Sequence, residues 1–158
     1  MLSNMPRISI ASLAYASVLA LLSPLALAQP DCAQAAAMLN QYAGRSIDEH
    51  ELDSILNTLN RSQNRQLPDK FVTKRAAQAV GWQPGSSLWS MPTLHGKSIG
   101  GDRFGNREHR LPAGQWREAD LDYRGGHRGS KRILFSSDGR RYVTIDHYRT
   151  FVEVPACR

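Results

Sequence analysis

The sequence predicts an α+β fold in which N-terminal helices pack on a C-terminal antiparallel β-sheet. Apolar residues recur at helical spacing before Trp82, and from Trp116 onward they alternate with polar residues. Asp138-Gly139 lies between two alternating runs and is a strong hairpin signal. Helices followed by a meander of strands are typical of α+β domains.

The first 28 residues are expected to be a signal peptide. Arg7 precedes an apolar run over residues 8–27, which ends in Ala26-Leu27-Ala28. A basic start, a hydrophobic centre and a small-x-small site are typical of secretory signals, and Pro24 argues against a membrane anchor. We therefore expect an exported, extracellular protein with no membrane attachment. Residues 29–158 should form one domain, with a helical segment at 29–66 and a core at 67–158.

Three helices are expected in the N-terminal half. The first lies between Asp31 and Gly44 and the third between Thr73 and Gly81, each with a capping residue at its start and a glycine at its end. The second begins with two overlapping capping boxes within residues 46–51. Its apolar face consists of Leu52, Ile55, Leu56 and Leu59.

Lys74 lies in the first turn of the third helix, where the helix dipole disfavours a cation. Free backbone N–H groups at this position can bind phosphate, and a lysine beside them would help. A solvated surface lysine is an equally open interpretation.

Residues 82–94 are rich in Gly, Pro and Ser and are expected to be a connector. Residues 96–112 are expected to form a long polar loop, and loops of this length are usually functional. Asn106 and Arg107 offer hydrogen-bond donors there, and Glu108 offers acceptors. Such a set could recognise the edge of a purine base. A capped turn with a surface ion pair is the alternative.

Strands are expected from Trp116 to Tyr123, around residues 132–135, from Tyr142 to Asp146 and from Thr150 to Val154. In the first of these, one face is apolar and the other is acidic, and Glu118 on the acidic face is expected to be exposed. A glycine-rich loop at residues 124–131 joins the first two strands.

Positive charge is concentrated in the C-terminal half. Residues 97–158 contain 13 Lys and Arg against 8 Asp and Glu, whereas residues 29–96 are balanced at 6 against 6. Arginine outnumbers lysine by 11 to 2 in the basic half, which favours bidentate contact with phosphate. Polyanion binding is the inference, and a basic surface without a partner is the alternative.

Four side chains of this half could cleave a phosphodiester without a metal. Glu118 and His147 offer a general base and a general acid, while Arg128 and Arg132 could stabilise the anion. The alternative is a cross-strand salt bridge between Glu118 and Arg132, with His147 as a surface residue.

Cys32 and Cys157 are the two cysteines, and in an exported chain an even pair predicts a disulfide. A loop of that length would add about 4–5 kcal/mol of stability in the chain-entropy model. Neither cysteine has a partner at zinc-ligand spacing, so a zinc site is not expected. No other metal and no cofactor are expected, because the candidate carboxylate, histidine and arginines can act without one.

Five segments carry a family resemblance. They are LPDKFVTKRAAQAVGW (67–82), GKSIGGDRFGNRE (96–108), WREADLDY (116–123), RILFSSDG (132–139) and DHYRTF (146–151). In this order and spacing they resemble the barnase-like secreted microbial ribonucleases that prefer guanine. The resemblance runs from Leu67 to Phe151. It is weaker in the second helix, and residues 31–44 look like an addition.

The resemblance implies the microbial ribonuclease fold and a role for each matched residue. The general base falls on Glu118 and the general acid on His147. The phosphate-binding side chains are Arg128, Arg132 and Lys74. The guanine site comprises Phe104, Gly105, Asn106, Arg107, Glu108 and Tyr148. Asp102 matches a structural aspartate.

Three positions depart from the family pattern. His127 and Gly139 each replace an aromatic residue, and Gly105 replaces a serine. None of these changes removes a matched catalytic group, so we expect activity to survive and base specificity to be the property most affected.

The implied activity is endonucleolytic cleavage of single-stranded RNA 3′ to guanine through a 2′,3′-cyclic phosphate. RNA and a small acidic inhibitor protein are the implied partners, and the protein should be a monomer. A non-catalytic RNA-binding protein is the main alternative. A membrane-active cationic protein would need a basic amphipathic helix, whereas the second helix here has an acidic polar face.

Overall fold

The computed structural model describes residues 28–158, so the predicted signal peptide lies outside the described residues except for Ala28. The helices and strands are α1 (Cys32–Tyr42), α2 (Glu49–Arg61), β1 (Phe71–Val72), α3 (Lys74–Ala79), β2 (Ser98–Phe104), β3 (Trp116–Asp120), β4 (Arg132–Ser136), β5 (Arg141–Thr144) and β6 (Val152–Glu153). Two 3-10 turns lie between α3 and β2, at Leu88–Ser90 and Pro92–Leu94.

The six strands form one sheet in chain order, from β1 to β6. Every neighbouring pair is antiparallel except β1 and β2, which are parallel. The β4–β5 hairpin turns at Asp138-Gly139, as predicted, and Gly139 has the left-handed φ of 95° that this turn requires. The α+β prediction is confirmed.

Local capping explains where the first two helices begin. Asp31 accepts a hydrogen bond from the Gln34 N–H at 2.7 Å, and the Gln34 side chain accepts from the Asp31 N–H, which completes a capping box. Asp48 caps α2 by accepting from the Glu51 N–H at 3.0 Å. Ser46, the other predicted cap, donates its hydroxyl proton to the Ala43 carbonyl instead.

The main core lies between the first two helices and one face of the sheet. Residues of α1 and α2 share one buried cluster with Ala119, Ile133, Phe135 and Val143 of the central strands. The helical segment at 29–66 therefore packs directly on the strands. A second cluster joins α3 to the connector at residues 82–94 through Trp82 and Leu88.

The predicted disulfide between Cys32 and Cys157 is present, with a Cα–Cα distance of 4.9 Å. The Asn60 side-chain amide donates to the Cys157 carbonyl at 2.9 Å, and the Arg158 N–H donates to the Pro30 carbonyl at 3.1 Å. The disulfide thus fixes the start of α1 to the segment that follows β6.

The expectation of a long loop over residues 96–112 is wrong for residues 98–104, which form β2. Its two glycines interrupt the alternation of apolar and polar residues by which a strand is recognised in a sequence. A Cβ on Gly100 would lie 2.5 Å from the Phe71 side chain and 2.8 Å from the Ala119 Cβ, so close packing requires glycine there. Gly101 has a φ of +94°, and the register of β2 against β3 shifts at this point, as in a β-bulge.

None of the helices described between residues 28 and 158 is long and apolar enough to span a bilayer.

Candidate active site

A cleft of about 830 Å³ opens on the face of the sheet opposite α1 and α2. Its floor is β3, and its walls are the segment after β2 and the loop after β5. Among the predicted site residues, it brings together Phe104, Gly105, Asn106, Arg107, Glu108, Glu118, His147 and Tyr148. The remaining three lie beside the cleft. Lys74 contacts Glu118, and Arg128 and Arg132 contact Asp120, two residues further along β3.

Glu118 lies on β3, directly opposite Asp102 of β2 and Leu134 of β4. The expectation of an exposed carboxylate is wrong, since the side chain is only 8% exposed. Tyr148 covers it and donates its phenol proton to Oε2 at 2.6 Å. The Lys74 ammonium lies 3.4 Å from Oε1 on the other side. The carboxylate is therefore fixed by a neutral donor and a cation.

The phenol of Tyr148 keeps its proton because of its surroundings. Burial, followed by the hydrogen bond to Glu118, raises the pKa of Tyr148 to about 12. Tyr148 therefore stays a donor to Glu118 throughout the neutral range.

His147 and Tyr148 both have left-handed backbone conformations, with φ values of 58° and 70°. Bulky residues rarely adopt this conformation, and strained positions of this kind cluster at functional sites. The Tyr148 N–H donates to the Thr144 hydroxyl at 3.0 Å, and the His147 N–H donates to the Ser130 carbonyl at 3.1 Å. The exposed imidazole of His147 is held at the cleft by its backbone.

The carboxylate of Asp146 organises this loop. It accepts from the Thr144 hydroxyl, the Arg149 N–H and both the N–H and the hydroxyl of Thr150. The Thr150 N–H, the Thr150 hydroxyl and the other donors lower the pKa of Asp146 to about 2. Asp146 is thus ionised at every pH at which the cleft would operate.

Arg128 and Arg132 are arranged around one buried carboxylate that the sequence did not single out, Asp120. Arg128 donates to both Asp120 oxygens at 2.6 Å, and this hydrogen bonding raises the pKa of Arg128. Arg132 Nε lies 2.9 Å from Asp120 Oδ1, although the pair is not aligned as a hydrogen bond. The alternative of a salt bridge between Glu118 and Arg132 is therefore wrong.

Lys74 is positioned by the N-terminal cap of α3 and by a hydrogen bond from its backbone to β2. Thr73 caps α3 by accepting from the Ala76 N–H at 3.2 Å, and Asp102 accepts from the Lys74 N–H at 2.9 Å. Asp102 therefore links the start of α3 to β2, beside Glu118. Lys74 is a neighbour of the candidate base and not an isolated surface lysine.

The side chain of Asn106 has a structural role that differs from the expected donor to a base. Its amide donates to the Leu111 carbonyl at 2.7 Å and accepts from the Leu111 N–H at 3.0 Å. These two bonds, with a φ of 42° at Asn106, fold residues 106–111 into a closed turn. The backbone of this segment and the exposed side chains of Arg107 and Glu108 remain open to a ligand.

Glu108 forms the surface ion pair that was the alternative for this segment. Its carboxylate accepts from Arg110 Nε at 2.8 Å, and Arg110 also donates to the Arg149 carbonyl at 2.6 Å. The Glu108 side chain is 78% exposed, so a ligand can still reach it.

Aromatic rings form the apolar wall of the cleft. Phe104 and Tyr148 stack with their centroids 5.2 Å apart and an interplanar angle of 25°. Phe151 lies against Phe104 edge to face. A flat base can pack against such a wall.

Two cations of the glycine-rich loop do not face the cleft. Arg124 pairs with Asp48 at 2.6 Å and Glu51 at 3.0 Å, which belong to the start of α2. Lys131 pairs with Asp122 at 2.6 Å and donates to the Ser46 carbonyl. These contacts fix the loop that carries Arg128 to the helical segment.

No group of three His, Cys, Asp or Glu side chains with metal-binding geometry occurs in the part of the chain that the structure describes. His127 and Gly139, which depart from the family pattern, are both exposed.

Comparison with known proteins gives consistent matches. A family model described as ribonuclease matches residues 57–155. A ribonuclease of Heyndrickxia coagulans is 46% identical over 93 residues, which is 57% of this chain and 84% of that protein. Ribonucleases of Bacillus intermedius and Bacillus pumilus are each 45% identical over 93 residues, and the match covers 57% of this chain and 57% of theirs. The region matched by the family model, residues 57–155, includes every candidate site residue of the cleft.

Proposed function

We propose a reaction and a specificity for this chain, which belongs to the ribonuclease family. It cleaves single-stranded RNA endonucleolytically, 3′ to guanine, by transesterification without a metal. The observation that carries this proposal is one cleft that contains both Glu118 and His147, with a closed loop and an aromatic wall beside them.

In the first step, Glu118 removes the proton of the 2′-hydroxyl, and the 2′-oxygen attacks the adjacent phosphorus. His147 donates a proton to the departing 5′-oxygen, so a 2′,3′-cyclic phosphate and a free 5′-hydroxyl form. In the second step the roles reverse: His147 takes a proton from water, and Glu118 protonates the 2′-oxygen as the ring opens. DNA lacks the nucleophile and is not cleaved.

Three cations stabilise the charge that builds on the phosphoryl oxygens. Arg128 and Arg132 are held by Asp120, and Lys74 is held at the N-terminus of α3. Because these groups are positioned before the substrate binds, they need little reorganisation in the transition state.

Guanine specificity comes from the segment of residues 104–108. The side chain of Asn106 closes the turn, which leaves backbone N–H groups free to donate to the guanine O6 acceptor. Glu108 accepts from guanine N–H donors by exchanging its pairing with Arg110. Phe104 and Tyr148 pack against the base plane.

Export and inhibition complete the proposal. An extracellular location is supported by the leader sequence and by the disulfide between Cys32 and Cys157. A small acidic inhibitor would cover the cleft inside the producing cell, with Arg128 among its contacts. Loss of inhibitor binding in Arg128→Ala, measured by calorimetry, would support that contact, and unchanged binding would contradict it.

The test is product analysis. The protein of residues 29–158 is incubated with EDTA and oligoribonucleotides of defined sequence, and product ends are identified by mass spectrometry. We expect cyclic phosphates and 3′-phosphates on guanine. Cleavage without base preference would contradict the role of residues 104–108, and RNA binding without cleavage would indicate the non-catalytic alternative.

Substitutions assign the two proton-transfer groups. Glu118→Gln and His147→Ala should each lower kcat by about 10²–10⁴-fold, the usual contribution of general acid–base catalysis. Glu153→Gln and His50→Ala, which change exposed residues away from the cleft, are the controls. The wild type should have a bell-shaped pH profile, and each substitution should remove one limb of it.

A further inference from the structure

A second groove lies on the helix side of the sheet. Two adjoining clefts of about 320 and 380 Å³ share Arg65, Arg117 and Phe135. Arg103 lines the first of these clefts and also the candidate active-site cleft. We call the two clefts together the rear groove, and Arg65, Arg103 and Arg117 are its arginines.

Strand alternation places these arginines away from Glu118. Arg117 precedes Glu118 on β3, so its side chain projects to the opposite face of the sheet. Arg103 lies directly opposite Arg117 on β2 and shares that face. Arg65 follows the C-terminal end of α2 and lines both clefts of the rear groove.

The charge of the rear groove is uncompensated. Like charges directly opposite each other on neighbouring strands destabilise a sheet. Within residues 28–158, the side chains of Arg65, Arg103 and Arg117 make no ion pair, whereas Arg124, Arg128, Arg132 and Arg140 each pair with a carboxylate. Other exposed arginines such as Arg45 and Arg61 are also without an ion pair there, but these three share one groove. Among the described residues that line the groove, Asp69 is the one carboxylate, and it pairs with none of the three arginines. Three arginines against one carboxylate leave an excess of positive charge that is suited to an anionic ligand.

The walls of the rear groove favour a phosphate backbone over bases. Phe135 and Trp116 line it but are only 2% and 1% exposed, so neither ring is available for stacking. Phe71 is half-buried, and the Lys70 ammonium lies over its ring, 5.3 Å from the centroid. The Asn64 side chain already donates to the Ser136 carbonyl and accepts from Arg141. The guanidinium groups are therefore the main contacts available to a ligand.

The sheet edge between the two sites is open. β1 pairs only with Ser98 and Ile99 of β2, so the outer edge of residues 102–104 has no strand beside it in the described chain. A single strand of RNA that leaves the candidate active site near Phe104 can cross this edge and pass Arg103. The same strand can then reach Arg117 and Arg65.

We propose that the rear groove binds phosphates of single-stranded RNA away from the scissile bond, without base recognition. This inference rests on the proposed function, because it assigns the groove to the same substrate. Substrates long enough to cross the edge of β2 gain affinity, and a dinucleotide does not.

The test compares a variant with three substitutions, Arg65→Gln, Arg103→Gln and Arg117→Gln, with the wild type. One substrate is a guanylyl dinucleotide, and the other is an RNA of about twenty nucleotides with one guanine, longer than one single-strand-binding fold covers. We expect the KM for the long RNA to rise about tenfold and its salt slope to fall by about two, since each single-strand phosphate contact contributes about 0.7. Dinucleotide kinetics should not change in a variant that carries only Arg65→Gln and Arg117→Gln, since Arg103 also lines the candidate active-site cleft.

The matched control carries Arg45→Gln, Arg61→Gln and Arg158→Gln, which remove the same charge from exposed positions outside all three clefts. An equal rise in KM in this control would overturn the proposal, because net charge alone would then explain it. Unchanged kinetics and salt slope in the rear-groove variant would also overturn it. Circular dichroism and thermal unfolding establish that both variants are folded.

Binding measured without cleavage separates this proposal from the proposed function. Fluorescence anisotropy with single-stranded DNA of the same length, which has no 2′-hydroxyl nucleophile, should give the same dependence on the three arginines. If the wild type does not cleave the dinucleotide, the proposed function fails, whereas the anisotropy result still supports or overturns the groove.

Discussion

At the scale of single residues, the candidate base depends on one phenol. Tyr148 donates to Glu118 at 2.6 Å, and the raised pKa of Tyr148 keeps that proton in place. The bond also orients the carboxylate toward the cleft. Such a contact links the conformation of the loop after β5 to the chemistry proposed for Glu118 on β3.

Tyr148→Phe removes this donor and leaves the ring. We expect kcat to fall by about tenfold to a hundredfold, the value of a hydrogen bond to a charged group. The free energy of unfolding should fall by about 1–3 kcal/mol, because a buried carboxylate loses a partner. Stopped-flow cleavage of a guanylyl dinucleotide and urea unfolding measure the two effects.

Tyr142→Phe is the control, since Tyr142 packs on Trp116 on the same face of the sheet and makes no side-chain hydrogen bond in the described structure. If kcat is the same in Tyr148→Phe and in the wild type, the phenol does not support the base.

Asp146 makes stability depend on pH in a defined window. Its folded-state pKa of about 2 lies below the unfolded value of about 3.9, so its contribution is present above about pH 4 and is lost as pH falls toward 2. Asp146→Asn should therefore show a flatter loss of stability across this window than the wild type. Urea midpoints measured through the window test this, with Asp69→Asn as the control. Parallel curves would contradict the assignment.

The sequence predicted most of the residues that meet in the cleft, but not the buried carboxylate beside it. Glu118 and His147 fall where a carboxylate and a histidine would be sought, and Lys74 was indicated by its place in the first turn of a helix. Asp120 was missed because its role depends on β3–β4 register, which places it directly opposite Arg132. Glu118 and Asp120 alternate with the apolar Ala119 and Leu121, and this pattern alone predicts an exposed acidic face.

At the scale of elements, capping residues and turns were predictable because their causes are local. Asp31, Asp48 and Thr73 begin the three helices as expected. β2 was not predicted because its glycines are required by residues that are distant in the sequence. Phe71 and Ala119 occupy the space that a side chain at Gly100 would need. Long-range packing of this kind leaves no periodic pattern in the sequence.

Gly100→Ala tests this explanation. A methyl group there would overlap Phe71 and Ala119, and the central sheet cannot move far, so we expect a loss of about 1–3 kcal/mol in the free energy of unfolding, as for overpacked cores. Gly129→Ala is the control, since a Cβ there meets nothing within 4 Å and its φ is not positive. Chemical denaturation of both variants gives the comparison. Equal stability of the two variants would contradict the close-packing explanation.

At the scale of the whole molecule, the helical segment stabilises the site from a distance. Arg124 and Lys131 attach the loop of Arg128 to residues 46–51, and the disulfide attaches α1 to the chain after β6. The matched family region begins only at residue 57, inside α2. The additional helix α1 is held by the shared core, by the disulfide and by the Asn40 side chain, which donates to Glu49 and accepts from the Ile47 N–H, each at 2.9 Å.

Replacing both cysteines, Cys32→Ser with Cys157→Ser, should lower the free energy of unfolding by about 2–5 kcal/mol. The cleft contains neither residue, so kcat at low temperature should not change. Urea unfolding with and without dithiothreitol measures the effect. Reduction should destabilise the wild type to the level of the variant and leave the variant unaffected; an unchanged wild-type midpoint on reduction would contradict the prediction.

The hydrogen bond from Arg158 to Pro30 has a topological consequence. Two chain segments separated by nearly the whole domain lie side by side, so a short peptide linker could join residues 30 and 158 without moving α1 or β6. New ends could then open at Gly85, an exposed connector residue whose added Cβ would meet nothing within 4 Å. A circular permutant of this design should fold to the same sheet, because strand order in space is independent of where the chain is cut.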